Sequence, residues 1–249
     1  MIPTDERADI AMALITGLNR EGIEGRLFGG AAFAIACYWD GVFRRSRRIK
    51  DIDLVVPAGA YKGIPSIIRK LGGAVDRAAV LLNEGRLIRA SFRGILVDIY
   101  SDPLFLNQEI ALGARLTLEE YCLAPADLLA TKLQINAHTE RDARDIVALL
   151  SACELVDSDG IRMANIRRIV ELCSRTWNFY YASKRSLALI TNVMGEFDVG
   201  EAESRLIFKK VSYLLSEIER PPKSMLWKCR AVIGPRMRWY SDIDAGLAR

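Results

Sequence analysis

The chain has 249 residues, about half of them hydrophobic and 27% charged, which suits one large globular domain or two small ones. No apolar run reaches the roughly 18 residues needed to span a bilayer, and Met1 to Arg7 lack the basic and apolar regions of a secretory signal. Five scattered cysteines with no CxxC pair, and a single histidine, argue against a disulfide framework or a zinc centre; a reducing cytoplasm and no membrane partner are expected. Net charge is only +4, but the basic residues cluster.

Residues 5–20 carry Ile10, Leu14 and Leu18 at helical spacing, with Thr4 as a plausible N-cap and Gly22 and Gly25 as the stop. Arg26-Leu27-Phe28 reads as a short strand, punctuated by Gly29-Gly30. Ala31 to Trp39 is apolar and Ala-rich, as a buried helix would be. Asp51 to Val56 reads as a strand stopped by Pro57, and Tyr61 to Leu71 as a helix closed by Gly72-Gly73. Leu87 to Phe92 and Ile95 to Tyr100 form a predicted hairpin across Arg93-Gly94. Beyond residue 100 strand signals fade. Helical patterns run from Pro125, from about Thr139 to Cys153, from Ala164 to Ser174, from Lys184 to Met194 and from Glu201 to Ile218. Pro221-Pro222 breaks the last of these, before a basic, aromatic tail. The expected fold class is α+β: a small mixed β-sheet flanked by helices over residues 1–120, then an α-helical domain over 121–249.

The chemistry-bearing pattern lies in the first part. On a strand, residues two apart share a face, so Asp51 and Asp53 project together while Ile52, Leu54 and Val56 face the core. Asp98, inside the apolar run Leu96 to Tyr100, supplies a third carboxylate from a nearby strand. Three such oxygen donors can hold Mg2+, with Mn2+ as a substitute, and a two-ion site needs ions roughly 3.5–4 Å apart. Gly29-Gly30 at a helix start would leave backbone N–H groups free for phosphates. A spaced glycine pair and carboxylate triad are what metal-dependent nucleotidyl transfer requires. The chain carries its own control: Asp242-Ile243-Asp244 repeats the tripeptide with no strand, glycine pair or partner carboxylate around it.

In order, Phe28-Gly29-Gly30, Asp51-Ile52-Asp53-Leu54 and Val97-Asp98-Ile99 resemble the DNA polymerase β-like nucleotidyltransferase superfamily. Arg47 or Arg48 followed by Lys50-Asp51-Ile52-Asp53 is similar to the version found in abortive-infection type toxin nucleotidyltransferases and their relatives. Asp127 to Leu133, with Lys132, resembles that group's lysine-bearing helix, and Arg141 to Val147 its Arg/Asp helix. The likeness covers roughly residues 25–150. It departs at Ala31, where a hydroxyl residue is often found, and in the long gap between Gly30 and Asp51. It implies a small mixed sheet with a helical domain closing over an NTP such as ATP. Asp51, Asp53 and Asp98 would then be metal ligands and catalytic residues. Gly29, Gly30, Arg47, Arg48, Lys50 and Lys132 would contact nucleotide, while Arg141 and Asp145 would orient one another or the substrate. The acceptor it implies is RNA, a tRNA 3′ end first, with a protein hydroxyl or a small molecule open. A toxin held by an antitoxin partner and a non-catalytic nucleotide- or RNA-binding module are the rival expectations.

Other residues carry plainer expectations. His138 reads as a surface or capping residue, and Trp177, Phe179, Tyr180 and Tyr181 as helix packing. Trp227, Trp239 and Tyr240 interleave with Lys228, Arg230, Arg236 and Arg238, as in a nucleic-acid surface or a tail docked on the core. Lys132, on an otherwise apolar helix, must snorkel or meet an anion.

Overall fold

The computed structural model describes residues 6–37, 49–76, 87–197 and 199–241. Helix α1 (Glu6–Arg20) buries Ala8, Ala11, Leu14, Ile15 and Leu18 along one stripe. Gly22 ends it at φ 76°, where the Ile23 N–H reaches the Leu18 carbonyl. The expected cap Thr4 lies outside the described residues. β1 (Arg26–Phe28) runs straight into α2 (Gly29–Ala36), two residues earlier than the apolar run suggests. β2 (Asp51–Val56) keeps the expected bounds. The helix expected over 61–71 is split into a 3-10 turn at Ala58–Gly63 and α3 (Ile64–Lys70), with Pro65 in the first turn of α3.

β3 (Ala74–Val75) is a two-residue strand with no signal in the sequence. β4 (Leu87–Phe92) and β5 (Ile95–Ser101) form the expected hairpin. Arg93 and Gly94 both take positive φ, 47° and 77°, as the primed two-residue turn demands. The sheet order is β1-β2-β5-β4-β3. β2 and β5 are parallel and the other neighbours antiparallel, so the sheet is mixed. Ile52, Leu54, Val55 and Val56 are all fully buried, which makes β2 polar only at its two aspartates.

After β5 come two short antiparallel pieces, β6 (Leu104–Phe105) and β7 (Glu109–Ile110), then a return to the sheet edge. There Leu27 N–H donates to the Tyr121 carbonyl and Leu123 N–H to that of Leu27. α4 (Pro125–Leu133) is buried along its whole length. α5 (Glu140–Ala152) starts with a capping box between Thr139 and Asp142. β8 (Glu154–Val156) and β9 (Met163–Asn165) form a small parallel pair. α6 (Ile166–Arg175), α7 (Trp177–Val193), α8 (Glu201–Glu219) and α9 (Met225–Ile233) complete the described chain. α7 begins seven residues before the expected Lys184, because Thr176 accepts from the Phe179 N–H and caps it early.

The architecture is thus a small mixed sheet flanked by helices and followed by a helical region. One hydrophobic core runs from α1 through the sheet to α8, and α2 packs on β2 and on both α4 and α5. The tail docks on this body. Trp239 is buried, Gln108 Nε2 donates to its carbonyl at 2.6 Å, and Asn107 and Ser241 pair through two hydrogen bonds. Arg185 lies 5.3 Å from the Trp239 ring and Arg230 4.5 Å from that of Trp177. These contacts dock the described part of the tail on the core.

Candidate active site

The register between β2 and β5 sets the geometry. Asp53 stands directly opposite Asp98, and Asp51 opposite Leu96. Register partners on neighbouring parallel strands share a face, and Asp51 lies one pleat from Asp53 on that same face. The three carboxylates therefore line one side of the sheet. Asp51 is exposed, and Asp53 and Asp98 are half-buried. Val55 and Tyr100, paired in the next register step, close the face behind them. Burial and then the charges of Asp53, Asp98 and Asp51 push the Tyr100 hydroxyl far up, the signature of a concentrated negative field. Asp98 is also raised, by burial first and by Asp51, against the opposing pull of Arg89. Arg89 is its register partner on β4, with Nε 3.5 Å from Asp98 Oδ1.

Gly29 fits against this face. Phe28 is the register partner of Asp53, so the chain turns into α2 right beside that carboxylate. Gly29 has φ 62°, and a Cβ there would overlap the carboxylate, 2.9 Å from its Cγ. Only glycine allows both the left-handed backbone and the close approach. Phe28 supplies no side-chain cap, so the first-turn amides of α2 and the positive end of its dipole lie next to Asp53. Gly29 and Gly30 are both part-exposed.

The remaining expected contacts divide. Lys50 is exposed at the start of β2, its carbonyl accepting from Arg7 Nη1 at 3.2 Å. Arg47 and Arg48 lie outside the described residues. Lys132 is only 8% exposed and meets anions from its own chain. Its Nζ lies 2.8 Å from Asp142 Oδ1 and 2.9 Å from Asp145 Oδ2, and 5.4 Å from the Phe33 ring centre on α2. Burial pulls the Lys132 ammonium down, but the two carboxylates outweigh it and hold it above its ordinary value. Asp145 is thus paired with Lys132, while Arg141 is exposed on α5. His138 fills its capping role, with Nε2 3.2 Å from the Lys132 carbonyl at the end of α4.

Removing the ammonium leaves two carboxylates facing each other in a largely dry place. Lys132→Met should lower stability by about 3–5 kcal/mol in urea unfolding. The acid limb gives a second test. Burial raises Asp142, but Lys132 and two hydrogen bonds from Thr139 pull it below its ordinary 3.8. A depressed carboxylate contributes stability above its unfolded pKa and loses it as pH falls through the folded one. The midpoint gap between wild type and Asp142→Asn should be full above about pH 4 and close below it. A gap that stays constant down the acid limb would refute the pairing.

Several functional residues escape sequence reasoning. Arg89 was findable: a two-residue hairpin at Arg93-Gly94 fixes Phe92 against Ile95, and counting outward puts Arg89 on Asp98. Asp142 gave no sign beyond its place in the cap of α5. Asp127 is fully buried between Arg115 Nε at 2.7 Å and Arg168 Nε at 3.0 Å, a brace from α4 to α6.

Among the described residues no three acidic, histidine or cysteine side chains converge on a single ion position, and Asp98 is engaged by Arg89. The donors on the face are all carboxylate oxygens, a set that fits a hard cation such as Mg2+.

No family profile matches the chain, and no curated protein matches it. Among solved structures it is similar to an antigenic nucleotidyltransferase-like protein from Paracoccidioides brasiliensis, at 14% identity over 91% of this chain and 98% of that one, TM-score 0.49. It is also similar to the antibiotic-resistance factor ANT(2'')-Ia, at 16% identity over 86% and 91%, TM-score 0.33. The polyadenylate synthase of Megavirus matches at 14% identity over 72% of this chain and 39% of that one, TM-score 0.38. At these identities and scores the likeness carries no statement about chemistry.

Proposed function

We propose that the chain is a Mg2+-dependent nucleotidyltransferase that moves the NMP unit of an NTP to an acceptor hydroxyl. The observation that carries this is the packing of Asp53 between Gly29 and Asp98. A left-handed glycine, a helix start whose N-cap Phe28 supplies no side-chain cap, and two carboxylates in register stand side by side. Asp51 and Asp53 would hold the ion on the triphosphate, and Asp53 and Asp98 the second. The metal would supply charge neutralisation at the reacting phosphate and the departing pyrophosphate. The acceptor oxygen bonds to the α-phosphorus, the bond to the bridging oxygen breaks, and pyrophosphate leaves with the electron pair. Asp98, raised by burial, would take the hydroxyl proton.

The Gly29 and Gly30 amides would donate to phosphate oxygens. Lys50, with Arg47 and Arg48, would meet the triphosphate from the solvent side. Lys132 would reach it by leaving one of its carboxylates, and its place against Phe33 of α2 supports that role. Residues 1–120 form the catalytic layer in this reading, and 121–249 the helical cover. An RNA 3′ end is the favoured acceptor, given the basic clusters. The toxin reading adds an antitoxin partner and predicts growth arrest on expression that requires Asp51 and Asp53. A non-catalytic nucleotide- or RNA-binding module is the second reading, favoured by the hold of Arg89 on Asp98.

The test supplies each α-32P-labelled NTP with Mg2+ and a fractionated extract, and follows label into RNA, protein and small molecules. Label lost in Asp51→Ala/Asp53→Ala supports transfer and names the acceptor class. Nucleotide binding without label in any fraction would favour the non-catalytic module.

A further inference from the structure

Arg89 places a cation at the edge of the carboxylate row. It faces Asp98 across the β4–β5 ladder, with its side chain 45% exposed and Nε 3.5 Å from Asp98 Oδ1. That pair is looser than the buried ones of this chain, such as Lys132–Asp142 at 2.8 Å and Arg115–Asp127 at 2.7 Å. Asp53 stands on the other side of Asp98, and Asp51 one pleat away. One positive charge thus flanks a row of three negative ones, paired with the carboxylate nearest to it, on the face where a divalent ion would sit. A guanidinium and a divalent ion draw on the same carboxylate oxygens and repel each other at a few ångströms.

We propose that Arg89 is a positioning residue that holds Asp98 in place of the cation and so sets the ion concentration at which the site loads. This inference rests on reading the three aspartates as metal ligands. The backbone under Arg89 is fixed by the hairpin and by its carbonyl accepting from the Asp76 N–H, so the exchange is a side-chain movement only. Loading requires the guanidinium to swing outward from Asp98 into solvent, which its 45% exposed side chain already meets. There it becomes available to an incoming polyphosphate.

The test is Mn2+ binding to the full chain without nucleotide, read from the EPR signal of the free ion. Arg89→Met should bind Mn2+ about three- to tenfold more tightly than wild type, with the difference shrinking at high salt. Arg89→Lys keeps the charge and should stay within about twofold. Asp53→Asn should lose the ion. Urea midpoints on the same samples show whether each variant is folded, and Arg89→Gln replaces Arg89→Met if the latter is not. Unchanged or weaker binding by the neutral variant, with wild-type binding intact, overturns the inference and leaves the nucleotidyltransferase reading standing. No Mn2+ binding by wild type at millimolar ion overturns the inference, and the labelled-nucleotide transfer above then decides the nucleotidyltransferase reading by itself.

Discussion

Asp53→Asn is expected to remove the proposed nucleotidyl transfer, by on the order of a thousandfold or more, while the protein stays folded. Asp53 is the carboxylate shared by every part of the proposed site. It stands in register with Asp98, one pleat from Asp51, and against Gly29. Asparagine keeps its shape and loses its charge, so the packing on Gly29 survives. Like charges facing each other across neighbouring strands destabilise a sheet by a few tenths of a kcal/mol to about 1 kcal/mol. Relief of that repulsion offsets the attraction lost to the start of α2, so the variant is expected to stay within about 1 kcal/mol of wild type and to be inactive. That combination separates a functional carboxylate from a structural one. Transfer of labelled nucleotide and urea unfolding on the same preparations check it. Full transfer by Asp53→Asn would end the nucleotidyltransferase reading, and a large loss of stability would recast Asp53 as part of the scaffold.

Gly29→Ala is expected to cost about 2–5 kcal/mol and to lower transfer as well. Two physical terms add. The left-handed backbone costs a side-chain residue about 1–2 kcal/mol, and the new methyl collides with the Asp53 carboxylate, an overpacking cost of about 1–3 kcal/mol. The terms separate in a double-mutant cycle. In an Asp53→Ala background the overlap with the carboxylate is gone, and the backbone term and a tight 3.1 Å contact with Cβ are left. The cost of Gly29→Ala should then fall by about 1–2 kcal/mol. Equal costs in both backgrounds would show that the close approach carries no energy. The same cycle links stability to the site, since the group the methyl would push is the one that must hold the ion.

Much of this was legible in the sequence where the cause is local. The bounds of β2 follow from one apolar run and Pro57. The hairpin follows from Arg93-Gly94, and the start of α5 from Thr139 and Asp142 three residues on. Short elements were not legible. β3 and β6 to β9 span two or three residues each, too few to show a period of two. The early start of α7 depended on a threonine cap that the apolar pattern alone does not weigh.

The candidate site divides the same way. Residue types and spacing in the chain marked Gly29, Gly30, Asp51, Asp53 and Asp98, because strand alternation and helix starts are set within a few residues. That Asp53 faces Asp98 was decided by the parallel pairing of β2 with β5, a contact between segments that the chain brings together only on folding. The partners of Lys132 were decided the same way. The sequence required a lysine on an apolar helix to snorkel or to meet an anion, and packing of α4 against α5 supplied two aspartates. A sequence determines what each side chain needs, through its own charge and its neighbours in the helix or strand. Tertiary structure decides which distant group meets that need, because the cost of burying a charge is settled only when the segments around it close.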